Sequence, residues 1–339
     1  MRWMVVLVCA SVVGLVVGLV VVVARVRRNR RALQQMRALL TAGHHQQVLE
    51  HALPAKPLQD LARSLQVTSA VFTGRFLLAL DLLAASTDDG TVAQTTGSAA
   101  SAARLRAVSL LGLGRYGETA RMVGDDPPMG PLRRVRAQAA IEVGDDDCAE
   151  ALLADPCADP LEEAGRLRSL GDLCLRRGRL QEGERLVRTA RASYAGSGVE
   201  GAQVDVAICT LHLAQARLAA GMAAAALPLV RAGLDGLQVR PDHQPGFVQA
   251  HALAALVHAA LGNGPEAGRH LATAQEHASR CESPPLDAEV TRSTALVALE
   301  LGDLDVGHRL LHEAIAAHEK LGAVPVVAEL RSTLASLDA

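Results

Sequence analysis

Three arginines, Arg104, Arg134 and Arg168, follow one another at intervals of 30 and 34 residues. Each stands ten residues before a glycine (Gly114, Gly144, Gly178), as Arg292 does before Gly302. A guanidinium presents a planar fork of N–H donors that matches a carboxylate. A row of three could therefore hold acidic side chains or a peptide carboxylate by charge-assisted, often bidentate hydrogen bonds. Gln138 and Asp172, four residues after Arg134 and Arg168, would add polar contacts. Other candidates for chemistry fall short. His308 and His312 have the i, i+4 spacing that can bind zinc on one helix face, but Glu313 follows His312, so no H-E-x-x-H forms and no third ligand is evident. Asp145-Asp146-Asp147 lacks the alternating oxygens, glycine and glutamate of a calcium loop and suits a helix start instead. There is no P-loop, no G-x-S-x-G elbow and no dinucleotide fingerprint. The expectation is a protein without catalysis, metal or cofactor.

The elements that must carry the arginines are legible from glycines that interrupt helical patterns: Gly43, Gly74, Gly114, Gly144, Gly178, Gly221, Gly262 and Gly302. Five residues after each comes Val48, Ala79, Thr119, Ala149, Gly183, Ala226, Ala267 or Gly307, nearly always small. Nine after, an aliphatic residue recurs in every unit but the first, where Ala52 stands. Seven before, Ala107, Ala137, Gly171, Ala214, Ala255 and Ala295 are small, while the first two units have Met36 and Val67. Each unit thus reads as two helices joined by a glycine turn, with small residues at a close crossing and an aliphatic plug beyond it. One such unit cannot bury its apolar face alone, so the units must stack into a solenoid.

This arrangement resembles the tetratricopeptide repeat. The fifth unit matches best, with Leu167, Leu170, Gly171, Cys174, Gly178, Leu180, Gly183, Val187 and Ala190 at the family's positions. Tyr116 and Phe76 take the turn-aromatic position of theirs. The resemblance covers about residues 32 to 338 and departs from the family in its few aromatics and mostly absent closing prolines. It implies an all-α fold, a right-handed TPR-like α-solenoid of about eight helical hairpins. It also implies that Arg104, Arg134, Gln138, Arg168 and Asp172 line a concave groove for a protein or peptide partner.

Composition bounds the rest. Net charge is −2 with no basic domain, which disfavours nucleic acid. Six cysteines are scattered without a C-x-x-C pair, as free thiols of a reducing compartment would be. Residues 3–24 carry no charge, and Arg25, Arg27, Arg28, Arg30 and Arg31 follow. Such a run is long enough to span about 30 Å of hydrocarbon as a helix. The expected organisation is a transmembrane anchor over 1–24, a basic juxtamembrane segment over 25–31 and a repeat domain over 32–339. One-sided arginines place the N-terminus outside and the repeats in the cytoplasm. Gly14 and Gly18 form a G-x-x-x-G pair through which the span could form a homodimer. Loops are expected over Ser86–Ser101 and at 124–131, 155–160, 195–203, 240–246 and 281–286, where Pro and Gly interrupt helices. The function these features predict is a membrane-tethered scaffold, with a ligand-sensing signalling subunit as the alternative.

Overall fold

The computed structural model describes residues 28–51, 59–87, 99–122, 131–199 and 201–337. It is all-helical. Helix α1 covers 28–41. It is followed by α2 His45–Glu50, α3 Gln59–Phe72, α4 Phe76–Thr87, α5 Ala99–Gly112, α6 Tyr116–Arg121, α7 Pro131–Val143 and α8 Asp146–Leu153. Then come α9 Pro160–Arg176, α10 Leu180–Gly196, α11 Ala202–Ala219, α12 Ala223–Leu237, α13 Gln244–Ala260, α14 Gly264–Ala278, α15 Pro284–Glu300, α16 Leu304–Leu321 and α17 Val324–Leu337. Consecutive helices pair into eight hairpins, called units 1 to 8, and α17 covers the last. The expected span at 3–24, with Gly14 and Gly18, lies outside the described residues. Among those described, no helix is long and apolar enough to cross a membrane. Residues 28–31, expected in the basic segment, already belong to α1.

All eight landmark glycines have φ between +72° and +83°, a region that strains any residue bearing a Cβ. At the end of α9, the Gly178 N–H donates to Leu175 O at 3.0 Å and the Arg179 N–H to Cys174 O at 2.8 Å. These bonds satisfy carbonyls that the ending helix would otherwise orphan. The small residues around the turns do what their spacing implies. Ala79, Ala149, Ala226 and Ala267 are fully buried, as are Ala107, Ala137, Ala214, Ala255 and Ala295. A Cβ on Gly171 would stand 2.6 Å from Val187 Cγ2, so α9 and α10 approach closely only because Gly171 and Gly183 face each other there. Leu153, Val187, Val230 and Leu311 plug the next layer, each contributing about 1.5–3 kcal/mol. Apolar clusters join successive units: Val187, Ala190 and Tyr194 meet Ala202, Cys209 and Leu213, and Ala214, Ala226 and Val230 meet Ala254 and Val257.

The interruptions fall within a few residues of the expected places. Helix α4 runs through Thr87 and α5 starts at Ala99, so the loop expected over Ser86–Ser101 is trimmed at both ends. Pro160, Pro245 and Pro284 sit in the first turn of the next helix rather than in the loop, where a missing N–H costs nothing.

A tertiary feature shapes the molecule further. The turns of units 1 to 4 rest against the joints between later units, so the solenoid closes on itself. A Cβ at Gly74 would lie 3.3 Å from Pro245 Cγ, one at Gly114 3.2 Å from Pro285 Cγ, and one at Gly144 3.3 Å from Pro325 Cγ. The three prolines are spaced by 40 residues and stand second in α13, α15 and α17. Every one of these turn glycines therefore leaves a notch for a proline ring five units further along. Charged side chains cap helix ends across the same seam. Arg240 Nη1 donates to Leu40 O at 2.9 Å and to Thr41 O at 2.5 Å, at the end of α1. Asp242 accepts from the Gln46 N–H at 3.2 Å and Glu282 from the Leu77 N–H at 3.0 Å, in the first turns of α2 and α4. The Glu282 N–H in turn donates to Gly74 O at 2.9 Å. Contacts of this kind contribute about 0.5–1.5 kcal/mol each. At units 3 and 4 Tyr116 and Ala139 pack on Ala323, Leu321 and Val326, and Ser283 Oγ donates to Gly112 O at 2.7 Å at the end of α5.

Candidate partner-binding face

The first helices of units 4, 5, 6 and 8 carry a ladder of alternating charge. Arg134 on α7 approaches Glu162 on α9 at 3.7 Å, Arg168 on α9 reaches Asp205 on α11 at 2.6 Å, and Arg292 on α15 reaches Glu329 on α17 at 3.4 Å. In each case the cation of one first helix meets an acid on the next. Arg176 returns the favour, binding Glu142 on α7 at 2.8 Å and Asp172 on its own helix at 3.5 Å. Gln138 completes the patch by donating to Glu142 Oε1 at 3.0 Å and to Asp172 Oδ2 at 3.5 Å. Glu289, paired to Arg292 at 2.9 Å, is near enough to act on both Arg176 and Tyr116. Unit 8 thus faces units 3 to 5 across the interior of the closed array.

Burial and pairing compete at each position. Burial alone would lower the pKa of Arg168, but Asp205 and Tyr194 outweigh it and the net direction is up. Burial pushes the Asp172 carboxyl up, yet Arg176, His212 and Gln138 reverse this and hold it below the usual carboxylate range. Arg292 is raised, chiefly by Glu289. Arg134 goes the other way. Burial and the like charges of Arg168 and Arg104 lower it, and Glu162 compensates only in part. The Arg168 side chain keeps 20% of its surface accessible despite being ringed by protein, as befits the wall of a narrow interior.

Of the residues expected in a groove, Arg134, Gln138, Arg168 and Asp172 share this wall, and exposed Arg104 lies within electrostatic reach of Arg134. Within the row Arg168 is matched by Asp205 at 2.6 Å and Arg134 approaches Glu162 at 3.7 Å. The sequence reading missed Glu142, Arg176, Asp205, His212 and Glu289. Arg176 had a signal, standing one helical turn after Asp172, but the others are distinguished only by what folds against them. His212 Nδ1 is buried with no hydrogen-bond partner among the described residues. His308 and His312 meet edge to face at 4.9 Å, and among the described residues no group of three or more metal-ligating side chains converges. A histidine stack between α13 and α14 also went unforeseen. His251 Nδ1 and His270 Nδ1 share a hydrogen bond at 2.9 Å, with His277 stacked on His251 and His258 on His270. Among the described residues Cys148, Cys157, Cys174, Cys209 and Cys281 form no disulfide, and burial pushes Cys209 and Cys281 up to about 11.

No family model matches the chain and no curated protein matches its sequence. Solved structures do. The crystal structure of a Rap protein complexed with competence and sporulation factor covers 92% of this chain and 98% of its own, with a TM-score of 0.54 and 11% sequence identity. At that identity the likeness is one of fold, and it places the chain among TPR-like α-solenoids.

Proposed function

We propose that this protein is an adaptor that binds a protein or peptide partner on the inner face of its solenoid. The observation that carries the reading is the row Arg104, Arg134 and Arg168, in which Arg134 has only a loose acidic partner at 3.7 Å and like charges on either side. An acidic group from a partner would relieve that repulsion and form the charge-assisted bond that Arg134 lacks. The Rap structure, complexed with competence and sporulation factor, supports a fold of this kind holding a second molecule. No catalysis is required. The uncharged run 3–24 and the arginines behind it support tethering to a membrane, with the repeats on the cytoplasmic side and pairing of two chains through Gly14 and Gly18.

The test is cross-linking in intact cells followed by purification of the full-length protein beside its Arg104→Glu/Arg134→Glu/Arg168→Glu form. A specific partner lost only from the variant supports the adaptor and its face; an identical set of partners moves the site elsewhere. A second reading, a sensor subunit that relays ligand occupancy, is favoured by the seam, whose contacts link units 1 to 4 directly to the later units.

A further inference from the structure

A second cluster of titratable side chains lies away from the charge ladder, between the two helices of unit 7. His251 and His258 stand seven residues apart on α13, and His270 and His277 seven apart on α14. Seven residues make two helical turns, so each pair shares one helix face, and the hairpin sets the two faces together. The rings follow one another in the order His258, His270, His251, His277, with neighbouring centroids 5.3, 5.1 and 5.7 Å apart. Phe247 stacks on His277 at 5.0 Å and closes the row. One hydrogen bond within the row joins the helices, His251 Nδ1 to His270 Nδ1 at 2.9 Å, so one of these nitrogens carries the proton and the other accepts it. His277 Nδ1 stands 2.7 Å from Gln244 Oε1, which accepts its N–H. His258 is 8% exposed, and its buried Nδ1 has no hydrogen-bond partner among the described residues. Burial, then His270 and His277, hold His251 down to about 4, and burial lowers His270 and His277 as well. At pH 7 these three rings are therefore neutral, the form in which an imidazole binds a metal ion.

We propose that His251 and His270 are two ligands of a site for a divalent transition-metal ion that bridges α13 and α14, with His258 turning its unpartnered Nδ1 into a third position and water completing the shell. The ion takes the place of the shared proton. On the ring that donated, the proton moves from Nδ1 to Nε2, so both Nδ1 lone pairs face the metal and no net charge is lost. Zinc–imidazole bonds are about 2.0–2.1 Å long, so nitrogens 2.9 Å apart subtend about 90° at the ion, and opening to about 3.3 Å gives the tetrahedral angle. Imidazole suits zinc, nickel and copper alike. The rings stack rather than converge, so His258 must rotate to complete the set. Coordination would add bonds between two helices that the row joins by one hydrogen bond, and so clamp unit 7, the unit whose Pro245 seats the Gly74 turn of unit 2. The site stands apart from the inner face and does not depend on it.

Equilibrium dialysis of the untagged full-length protein against Zn²⁺ and, separately, Ni²⁺, with bound metal counted by elemental mass spectrometry, tests the site. One ion per chain is expected. In His251→Gln/His270→Gln the affinity should fall by about 100-fold or more, the upper end of what even an outer-shell partner is worth, and in His258→Gln by about tenfold. The other adjacent histidine pair is the control: His308→Gln/His312→Gln should bind as the native protein does. Unchanged binding in the His251/His270 variant, loss only in the His308/His312 variant, or no stoichiometric binding of either ion to the native protein overturns the proposal. Histidine modification by diethyl pyrocarbonate on the native chain, mapped by mass spectrometry, needs no variant to fold. The ion should slow His251 and His270 severalfold and leave exposed His312 unchanged; no slowing, or equal slowing at His312, overturns the site by itself.

Discussion

Arg134 and Arg168 occupy equivalent places on successive first helices, yet their neighbours give them different work. Asp205 meets Arg168 at 2.6 Å and ties unit 5 to unit 6, whereas Glu162 stays 3.7 Å from Arg134. Replacing Arg168 by Met should therefore perturb stability more than replacing Arg134, because it strands a carboxylate at the inner wall; denaturant midpoints of the two variants decide this. Histidines set the response to pH. His45 is buried against Phe72, and its pKa is held down to about 4, first by burial and then by Arg240, with Asp242 opposing and His243 and His44 adding to the effect. Above pH 6.5 neither folded nor unfolded chain protonates it. Between pH 6.5 and about 4 the unfolded chain takes up a proton that the folded one refuses, so stability falls as pH falls, by about 3 kcal/mol for this group. His251, also held down to about 4 by burial and by His270 and His277, acts in the same direction. The gap in unfolding midpoint between pH 7 and pH 4.5 should narrow in His45→Phe.

At the scale of the hairpin, one glycine turn and one close crossing recur with different side chains. Gly171 and Gly183 form the tightest version described above, and a Val at 171 would meet Val187 and the Gly183 carbonyl. Gly171→Val should cost about 1–3 kcal/mol by overpacking. Leu311, fully buried among Ala295, Ala314, Ile315 and Leu330, should cost about 2–5 kcal/mol when cut to Ala. Because each unit packs chiefly on its neighbours, hydrogen exchange in Leu311→Ala should rise mainly in α15, α16 and α17. Most of this level was readable beforehand: the eight glycines picked by spacing all have positive φ, and the alanines five after and seven before them are buried. Helix ends were less readable, since Pro160, Pro245 and Pro284 start helices, whereas the sequence marks them only as interruptions.

For the whole molecule, closure makes distant segments depend on each other. An open solenoid would confine the effect of Ala323→Asp to α16 and α17. Here Ala323 is buried against Tyr116 and Ala139, so hydrogen exchange should rise in α6 and α7 as well; no change there would show the seam to be absent in solution. The sequence by itself determined the class of fold, because a glycine that must adopt positive φ and an alanine that must fit a close helix crossing are local requirements that any chain of these units repeats. It also marked one row of arginines, since their phase relative to the glycines is local. It could not say which acids would meet them: Asp205 and Glu329 become partners only when successive first helices lie side by side. Nor did it show the seam. Gly74 and Pro245, Gly114 and Pro285, Gly144 and Pro325 lie far apart along the chain, and only the accumulated rotation of the units between them brings notch to ring. That rotation is a sum of many small packing angles, each set by side chains on two helices, and it exists only in the folded array.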